Sequence, residues 1–402
     1  MRRGPEGRKL PLGESAEGGG EMAKLVSSAV VTALIVGLVV AAPARAASGS
    51  REQTQVHCGQ VITTSVKLAN DLVDCATDGL VIGAPGITVD LNGHRIDGTS
   101  GDGAADIDTW CYCAVANYFD GYPGLTVKNG RVSDFYDGVA SKSDRFTVQG
   151  IKVTHSNHNG IAAYGGAHIR VADSESDHAY RGVYLYGVTD GSVTRTSTSQ
   201  TNHIGISFWV SDHVSATENV TDGRISPGVS SDYGLEDVSN TNLVFADNVV
   251  KNFYYTVGIG IVTKTGVATR HVLVKGNKVT RSGIGIGVST LVPEQDAPSE
   301  IDDVTITDNE VTDNPEQGIW ITGPPDSPTA PTNVRVINNV VLRNGLDGIW
   351  AEAPDTSVGS NIANGNGGLG IFADPGVHDL GHNVATKNKD PRQCVGVVCT
   401  KR

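Results

Sequence analysis

Short stretches of alternating apolar and polar residues recur along the chain at a nearly constant interval. Between Phe146 and Val214, three consecutive stretches each combine alternating β-branched residues, a polar turn and a Gly-Ile or Gly-Val strand. The strand glycines, Gly160, Gly182 and Gly205, are 22 and 23 residues apart. Apolar residues in this region do not recur with the period of an α-helix. A period of this size, built from short strands, predicts a solenoid in which each repeat stacks on its neighbours.

A second repeating feature, an asparagine three residues after an inward-facing position, begins after Ser211. The asparagines are Asn219, Asn248, Asn277, Asn309, Asn339, Asn361 and Asn383. Asparagine tolerates the left-handed backbone of a tight turn, and its amide can bond a neighbouring amide. We therefore expect a ladder of hydrogen bonds from coil to coil. In earlier repeats Ile151, Ser174 and Thr196 hold the equivalent position, so the ladder should be incomplete there.

These features together resemble the right-handed parallel β-helix superfamily, which includes pectate lyases, polygalacturonases, alginate epimerases and proteins with NosD-type repeats. The resemblance covers roughly residues 80–390. It implies an all-β solenoid of about eleven or twelve coils, each rising about 4.8 Å. Because this fold hosts many activities, the resemblance predicts the fold and not the reaction.

The catalytic motifs of these families are largely missing from the chain. Of the polygalacturonase motifs only the pair Asp302-Asp303 is present, and the alginate epimerase Tyr-Gly-x-Asp-Pro-His signature does not occur. No strand carries the Asp-His and arginine arrangement of the calcium-dependent pectate lyases. No catalytic residue can therefore be transferred from these relatives.

The chain divides into five segments on this interpretation. An apolar run from Leu25 to Ala42 is followed by Ala44-Arg45-Ala46, which is typical of a signal peptide and its cleavage site, although the run could just span a membrane. We expect a secreted, extracellular protein without a membrane anchor after cleavage. The segments are a mis-assigned extension (1–21), the signal peptide (22–46), an N-terminal cap (47–85), the β-helix (86–390) and a C-terminal cap (391–402).

Charge and cysteine content fit a secreted protein. The net charge of −13 argues against nucleic acid and anionic membranes as partners, and it favours a soluble monomer. Six cysteines suit an oxidising compartment. We expect disulfides that pin the two ends, one between Cys58 and Cys75 and one between Cys394 and Cys399. Cys111 and Cys113 are open to three interpretations: a C-x-C bridge, half of a metal site, or free thiols.

Aromatic residues recur at outward-facing strand positions. Alternation along a strand places the second and fourth residues after each strand glycine on the outer surface. Two aromatic clusters result, one of Tyr164, Tyr184, Tyr186 and Trp209, the other of Trp320, Trp350 and Phe372. They flank a smooth floor at Gly260 and Gly287. Exposed rings stack on sugars, so we expect both clusters to bind substrate; the alternative is that loops cover them.

Extra residues after the Gly-Ile strands predict loops that wall the glycine floor. These are Tyr233–Asn242, Lys264–His271, Leu291–Asp303 and Gly323–Thr332. Asp232, Glu236 and Asp237 would gather at one wall, where paired carboxylates could hydrolyse a glycoside. Lys264 could instead act as the base of an elimination, with Tyr254 or Tyr255 in support. The alternative is that these residues only form a solvated loop.

Two further groups of polar residues are candidates. His155, His158, His178 and His203, with Arg181 and Asp137 among them, could carry protons or bind metal, but we interpret them as turn residues that face water. Asp102, Asp106 and Asp108 could hold calcium as a cofactor; the alternative is that they only form a solvated loop.

The function predicted from the sequence is binding, and either elimination or hydrolysis, of an extracellular polysaccharide. The alternative is a non-catalytic glycan-binding or structural protein of a surface or matrix. The sequence does not decide whether the protein is an enzyme.

Overall fold

The computed structural model describes residues 52–99, 112–118, 120–223, 232–263, 267–290, 300–323 and 329–401. These residues belong to one compact unit. They form 37 strands and no helix, so no described segment is a helix that could cross a membrane. The predicted signal peptide and the candidate calcium ligands Asp102, Asp106 and Asp108 lie outside the described residues.

The strands stack into three parallel faces. The first face contains Gln60–Ile62, Leu80–Ile82, Cys113–Asn117, Asp137–Ser141, the last parts of Thr147–Tyr164 and Glu175–Tyr186, Ile204–Trp209, Tyr233–Val238, Val257–Thr263, Ile284–Thr290, Ile319–Ile321, Ile349–Ala351, Ile371–Ala373 and Cys394–Val395.

The second face contains Val66–Lys67, Thr88–Asp90, the first parts of Thr126–Ser133 and Thr147–Tyr164, Ala167–Ala172, Thr189–Thr194, Asp212–Thr217, Thr241–Ala246, Thr269–Lys275, Ile301–Thr307, Thr332–Ile337, Thr356–Gly359 and His378–Gly381. The third contains Leu72–Cys75, Arg95–Gly98, the end of Thr126–Ser133, the middle of Thr147–Tyr164, the start of Glu175–Tyr186, Ser197–Ser199, Val220–Asp222, Val249–Lys251, Lys278–Thr280, Glu310–Thr312, Val340–Leu342, Ile362–Asn364, Asn383–Val384 and Cys399–Thr400.

The structure is therefore an all-β, right-handed parallel β-helix, as predicted. Fourteen described segments stack on the first face, and eleven of them lie within residues 86–390. The other three are Gln60–Ile62, Leu80–Ile82 and Cys394–Val395. Parallel stacking thus continues into the segments that we assigned to the two caps.

The core fills the inside of the coils. The residue after each first-face strand glycine points inward and is fully buried, which confirms the predicted register at Ile319 and Ile349. Two rings, Phe208 and Phe245, stack inside the coil with centroids 5.9 Å apart. These apolar stacks supply the burial that a single coil cannot achieve alone.

The predicted asparagine ladder is present. From Asn219 to Asn383, each side-chain Nδ2 donates to the Oδ1 of the next asparagine at 2.9–3.3 Å. The predicted backbone conformation is displaced by one residue, because positive φ belongs to the residue that precedes each asparagine. These residues are Glu218, Asp247, Gly276, Asp308, Asn338, Ser360 and His382.

A second ladder, which we did not predict, begins at Asn314. Its amide donates to Asn344, and the row continues through Asn366 and Asn388 to the side chain of Gln393. Each member follows a member of the first ladder by five residues, a regular spacing that could have revealed it. Both ladders satisfy buried amides that would otherwise lack partners.

The predicted disulfides Cys58–Cys75 and Cys394–Cys399 are both formed, with Cα atoms 5.4 and 6.1 Å apart. Cys113 is disulfide-bonded as well, so it is neither a free thiol nor a metal ligand. Cys111 lies outside the described residues.

The ladder predicts a specific loss of stability. Asn309→Ala removes a buried amide that accepts from the backbone N–H and Nδ2 of Asn277 and donates to Asn339 and to the carbonyl of Val274, so the buried backbone N–H of Asn277 loses its acceptor. We expect the free energy of unfolding to fall by about 1–3 kcal/mol. Thr305→Ala, on the half-exposed outer surface of the same coil, is the control. Equal urea midpoints for the two variants would contradict a stabilising role for the ladder.

Candidate functional site

Outward-facing residues of the first face form a continuous row across the coils. In register, the row runs Tyr184, Ser207, Glu236, Gly260, Gly287, Trp320, Trp350 and Phe372. In the coil of Glu236 the strand glycine is Gly234, because the extra residues of this coil precede the strand instead of following it. The predicted loop Tyr233–Asn242 is therefore wrong: Tyr233–Val238 and Thr241–Ala246 are strands.

The three carboxylates that we expected at one wall are separated. Glu236 is on the outer surface, whereas Asp237, the next residue along the strand, points into the coil and is fully buried. Asp232 precedes the strand, and its carboxylate pairs with the ring of His203. An interior position keeps Asp237 away from any substrate. Lys264 lies outside the described residues.

The carboxyl group of Glu236 is enclosed although it lies on the outer surface. It accepts hydrogen bonds from Ser207 Oγ at 2.6 Å and from Trp209 Nε1 at 2.8 Å, and only 4% of the residue is exposed. Burial raises the pKa of Glu236, while these two donors oppose the shift. Burial beside Glu236 also raises the pKa of Tyr233 to about 12. Both groups therefore favour their neutral forms.

Four rings stack in successive coils at the start of these strands. The centroids of Tyr136 and His158 are 4.8 Å apart, those of His158 and Tyr180 are 6.2 Å apart, and those of Tyr180 and His203 are 4.7 Å apart. Each histidine of this ring stack also contacts a carboxylate through Nδ1. His158 lies 3.0 Å from Asp137, and His203 pairs with Asp232. Both imidazoles are thus oriented, which suits them to carry protons.

Asp137 is held by several neighbours besides His158. Its Oδ1 accepts from the backbone N–H of Asn159 at 2.8 Å, and its Oδ2 accepts from the Tyr164 hydroxyl at 3.1 Å. Burial and the charge of Asp137 raise the pKa of Tyr164. Tyr164 consequently stays a neutral hydrogen-bond donor that fixes the carboxylate.

Arg181 lies beside the ring stack, between aromatic faces. Its guanidinium carbon is 5.0 Å from the ring centroid of Tyr180, 4.7 Å from that of Tyr184 and 5.9 Å from that of Trp209. Its Nη1 is 3.4 Å from Nε2 of His158. A planar cation held between rings is well suited to bind a carboxylate. We call the group Asp137, His158, Arg181, His203, Asp232 and Glu236 the polar site.

From the sequence we named the histidines of the polar site but interpreted them as turn residues that face water. His158 and His203 are only 26% and 22% exposed at their side chains. The missed signal is the spacing of Tyr136, His158, Tyr180 and His203, which places one flat ring in each of four successive coils.

A groove of about 160 Å³ begins next to the polar site, over the predicted glycine floor. Gly260 and Gly287 form its floor, and Tyr233 and Trp320 form its walls. A Cβ at Gly260 would lie 2.4 Å from the Tyr233 ring, so this glycine lets the ring lie over the strand. A Cβ at Gly287 would meet only Val257 and Ile284, at 3.3 Å or more, so the open space lies there.

The two predicted aromatic clusters exist as clusters. Tyr184 contacts Tyr164, Tyr186 and Trp209 at centroid distances of 5.9–6.2 Å. Trp350 contacts Trp320 at 6.2 Å and Phe372 at 5.6 Å. The indoles of Trp320 and Trp350 are half-buried rather than exposed, so their removal should also reduce stability. Substrate binding by these rings remains a prediction.

Metal binding finds no support among the described residues. They contain no group of three or more His, Cys, Asp or Glu residues arranged to hold a metal ion.

Comparison with known proteins supports the fold. Residues 137–294 match the family model described as a right-handed β-helix region. This match agrees with the right-handed parallel β-helix that the described residues form. No curated protein matches it significantly in sequence.

Several solved β-helix structures resemble this protein at low sequence identity. One is the catalytic unit of an α-1,3-glucanase from Streptomyces thermodiastaticus (16% identity, 83% of this chain and 63% of that one, TM-score 0.45). A second is a periplasmic alginate epimerase (14% identity, 80% of this chain and 75% of that one, TM-score 0.47). A third is an exopolygalacturonase from Thermotoga maritima (10% identity, 84% of each chain, TM-score 0.48). At these identities the likeness concerns the fold alone.

The interior carboxyl of Asp237 predicts a pH-dependent stability. Burial holds its pKa well above the usual value, so the native state keeps a proton that the unfolded chain loses above about pH 4. Stability should therefore fall as pH rises from about 4 toward the native pKa, by about 1.4 kcal/mol per pH unit.

Asp237→Asn should remove the contribution of Asp237 to this decline and raise the free energy of unfolding at neutral pH; the decline that remains comes from other buried carboxyls with raised pKa values, such as Asp78. Urea unfolding between pH values of about 4 and 8 measures the effect, with Asp374→Asn on the outer surface as the control. An Asp237→Asn variant that is less stable than the wild type at every pH would contradict a protonated carboxyl at Asp237.

The two floor glycines should differ in their tolerance of a methyl group. Gly260→Ala forces the Tyr233 ring to move and should lower the free energy of unfolding by about 1–3 kcal/mol. Gly287→Ala should have a smaller effect, because its Cβ would lie 3.3 Å from Val257, a contact that a small shift of this side chain relieves. Denaturant unfolding of both variants tests this, and equal losses would show that Tyr233 does not depend on Gly260.

Proposed function

We propose that this protein is secreted, binds an acidic extracellular polysaccharide along its first face and cleaves it by β-elimination at the polar site. The observation that supports this most directly is the position of Arg181 between three aromatic rings, next to a histidine held by a carboxylate. The two confirmed disulfides fit export to an oxidising compartment. We further propose that the protein acts as a monomer.

Elimination from a uronate needs a cation for the carboxylate and a base for the adjacent carbon. Arg181 would pair with the substrate carboxylate and stabilise the negative charge that develops on it. Nε2 of His158, whose other nitrogen faces Asp137, would remove the proton from C5. The C5–H electron pair then forms the C4=C5 double bond, and the bond from C4 to the glycosidic oxygen breaks.

The departing oxygen must gain a proton to complete this reaction. His203, paired with Asp232, is the second imidazole of the ring stack and would supply that proton in its imidazolium form. The proton taken up by His158 returns to water, so atoms and charge balance.

The enclosure of Glu236 argues against the hydrolytic alternative. Its raised pKa would suit a general acid, but its carboxyl is almost fully buried and already accepts from Ser207 and Trp209. Of the other two carboxylates predicted to assist, Asp237 points into the coil and Asp232 pairs with the ring of His203. A hydrolase needs a second carboxylate at the scissile bond.

Binding without catalysis is the second candidate, and the row Trp320, Trp350 and Phe372 favours it. These rings continue the first face beyond the groove and could hold a glycan by stacking alone.

A panel of polyuronates, assayed with and without calcium, tests the proposal. We expect the secreted form of the protein to generate unsaturated uronates, detected by their ultraviolet absorbance. Arg181→Ala and His158→Gln should each lower the rate about 10²–10⁴-fold. His178→Gln is the matched control, because His178 is exposed and stacks on His155 instead.

Each other outcome has a defined meaning. New reducing ends without unsaturated product would indicate hydrolysis, with Glu236 as the candidate general acid. Tight binding without product would establish the binding role. Neither binding nor product across the panel would overturn the proposal.

A further inference from the structure

The groove over Gly260 and Gly287 differs chemically from the polar site beside it. Its remaining lining residues are Val257, Val262, Ile284, Val288, Ser289 and Thr322. Among the described residues no charged side chain lines it, and the Thr322 hydroxyl already donates to the carbonyl of Val288 at 3.2 Å. A carboxylate or a ring bearing several free hydroxyls would lose hydration there without gaining enough partners.

The size of the groove limits what it can enclose. Its 160 Å³ is well below the roughly 300–1,000 Å³ of sites that enclose a drug-sized ligand. An apolar cavity of about 150 Å³ in another protein holds a single benzene molecule. The groove therefore suits one small apolar group rather than a whole sugar unit with its hydroxyls.

The groove is also continuous with the polar site. Glu236 pairs with Gly260 in the next coil, and Gly260 pairs with Gly287 in the one after. At about 4.8 Å per coil, the open space over Gly287 lies about 10 Å along the face from Glu236. The coil of Arg181 precedes that of Gly287 by four coils, or about 19 Å, so a chain bound at Arg181 and running along the first face would place a sugar unit several places further along over Gly287.

Two consecutive outward glycines need an explanation of their own, because glycine weakens a strand interior and often marks the close approach of a ligand. Gly260 accommodates the Tyr233 ring, whereas nothing in the described residues fills the space over Gly287. The structure thus keeps this position open.

We propose that the groove binds an acetyl group, carried as an ester on a sugar unit several places along the chain from the one held by Arg181. The acetyl methyl group would fill the space over Gly287 between Tyr233 and Trp320. This inference rests on the proposed function, since it names a feature of the same substrate. It assigns the protein to O-acetylated acidic polysaccharides.

The test compares an O-acetylated polyuronate with the same polymer after saponification. We expect saponification to raise Kd about ten-fold or more, the usual effect of a lost methyl group in an apolar pocket. Gly287→Val fills the groove and should remove the difference by weakening binding of the acetylated polymer only. Ser215→Val, an outward substitution on the second face, should retain it. Gly287→Ala replaces the valine variant if that variant does not fold.

The outcomes separate this inference from the proposed function. Equal affinity and equal elimination for both polymers would overturn the acetyl site and leave the elimination intact. A Gly287 variant that weakens both polymers equally would show that the groove holds an unsubstituted sugar, and would also overturn the inference. If neither polymer is bound or cleaved, both ideas fall together.

Discussion

In-register hydrogen bonding between parallel coils is the constraint on which the rest of this structure depends. Each coil places one residue at each position about 4.8 Å from its equivalents above and below. Like residues consequently meet like residues. The inward isoleucines, the two asparagine ladders, the stacked rings of Tyr136, His158, Tyr180 and His203, and the aromatic rows are all products of this geometry.

The same geometry builds the candidate site from residues that are distant in sequence. Asp137 and Glu236 lie about a hundred positions apart in the chain yet belong to one surface, because only a few coils separate them. The net charge of −13 makes the local position of Arg181 important. A cation held between aromatic rings concentrates positive potential at one point of an otherwise acidic surface.

Periodicity allowed the fold to be predicted, but not the site. We could predict the strand glycines and the first ladder because these residues recur at a regular interval. We could predict both terminal disulfides because their cysteines lie at the two ends of the repeats. Tyr233–Asn242 was wrongly predicted to be a loop because two glycines in this coil, Gly228 and Gly234, are each followed by residues that suit a strand, and we placed the strand after Gly228. That choice moves every side chain of the coil by several positions. Periodicity also cannot show that His158 and Arg181 share a local environment, since that depends on how side chains bend out of the turn.

The first asparagine ladder has a direction as well as a spacing. Each amide up to Asn361 donates one N–H to the next asparagine toward the C-terminal end and the other to a backbone carbonyl of the preceding coil, while each ladder Oδ1 after the first accepts from the N-terminal side. The side-chain carbonyl dipoles therefore point the same way and add, as peptide dipoles do along a helix. Their positive end is at Asn383, where Nδ2 faces a carboxylate oxygen of Asp379 at 3.4 Å. The solenoid is therefore electrically polar along its axis, and the aspartate at its C-terminal end compensates that polarity.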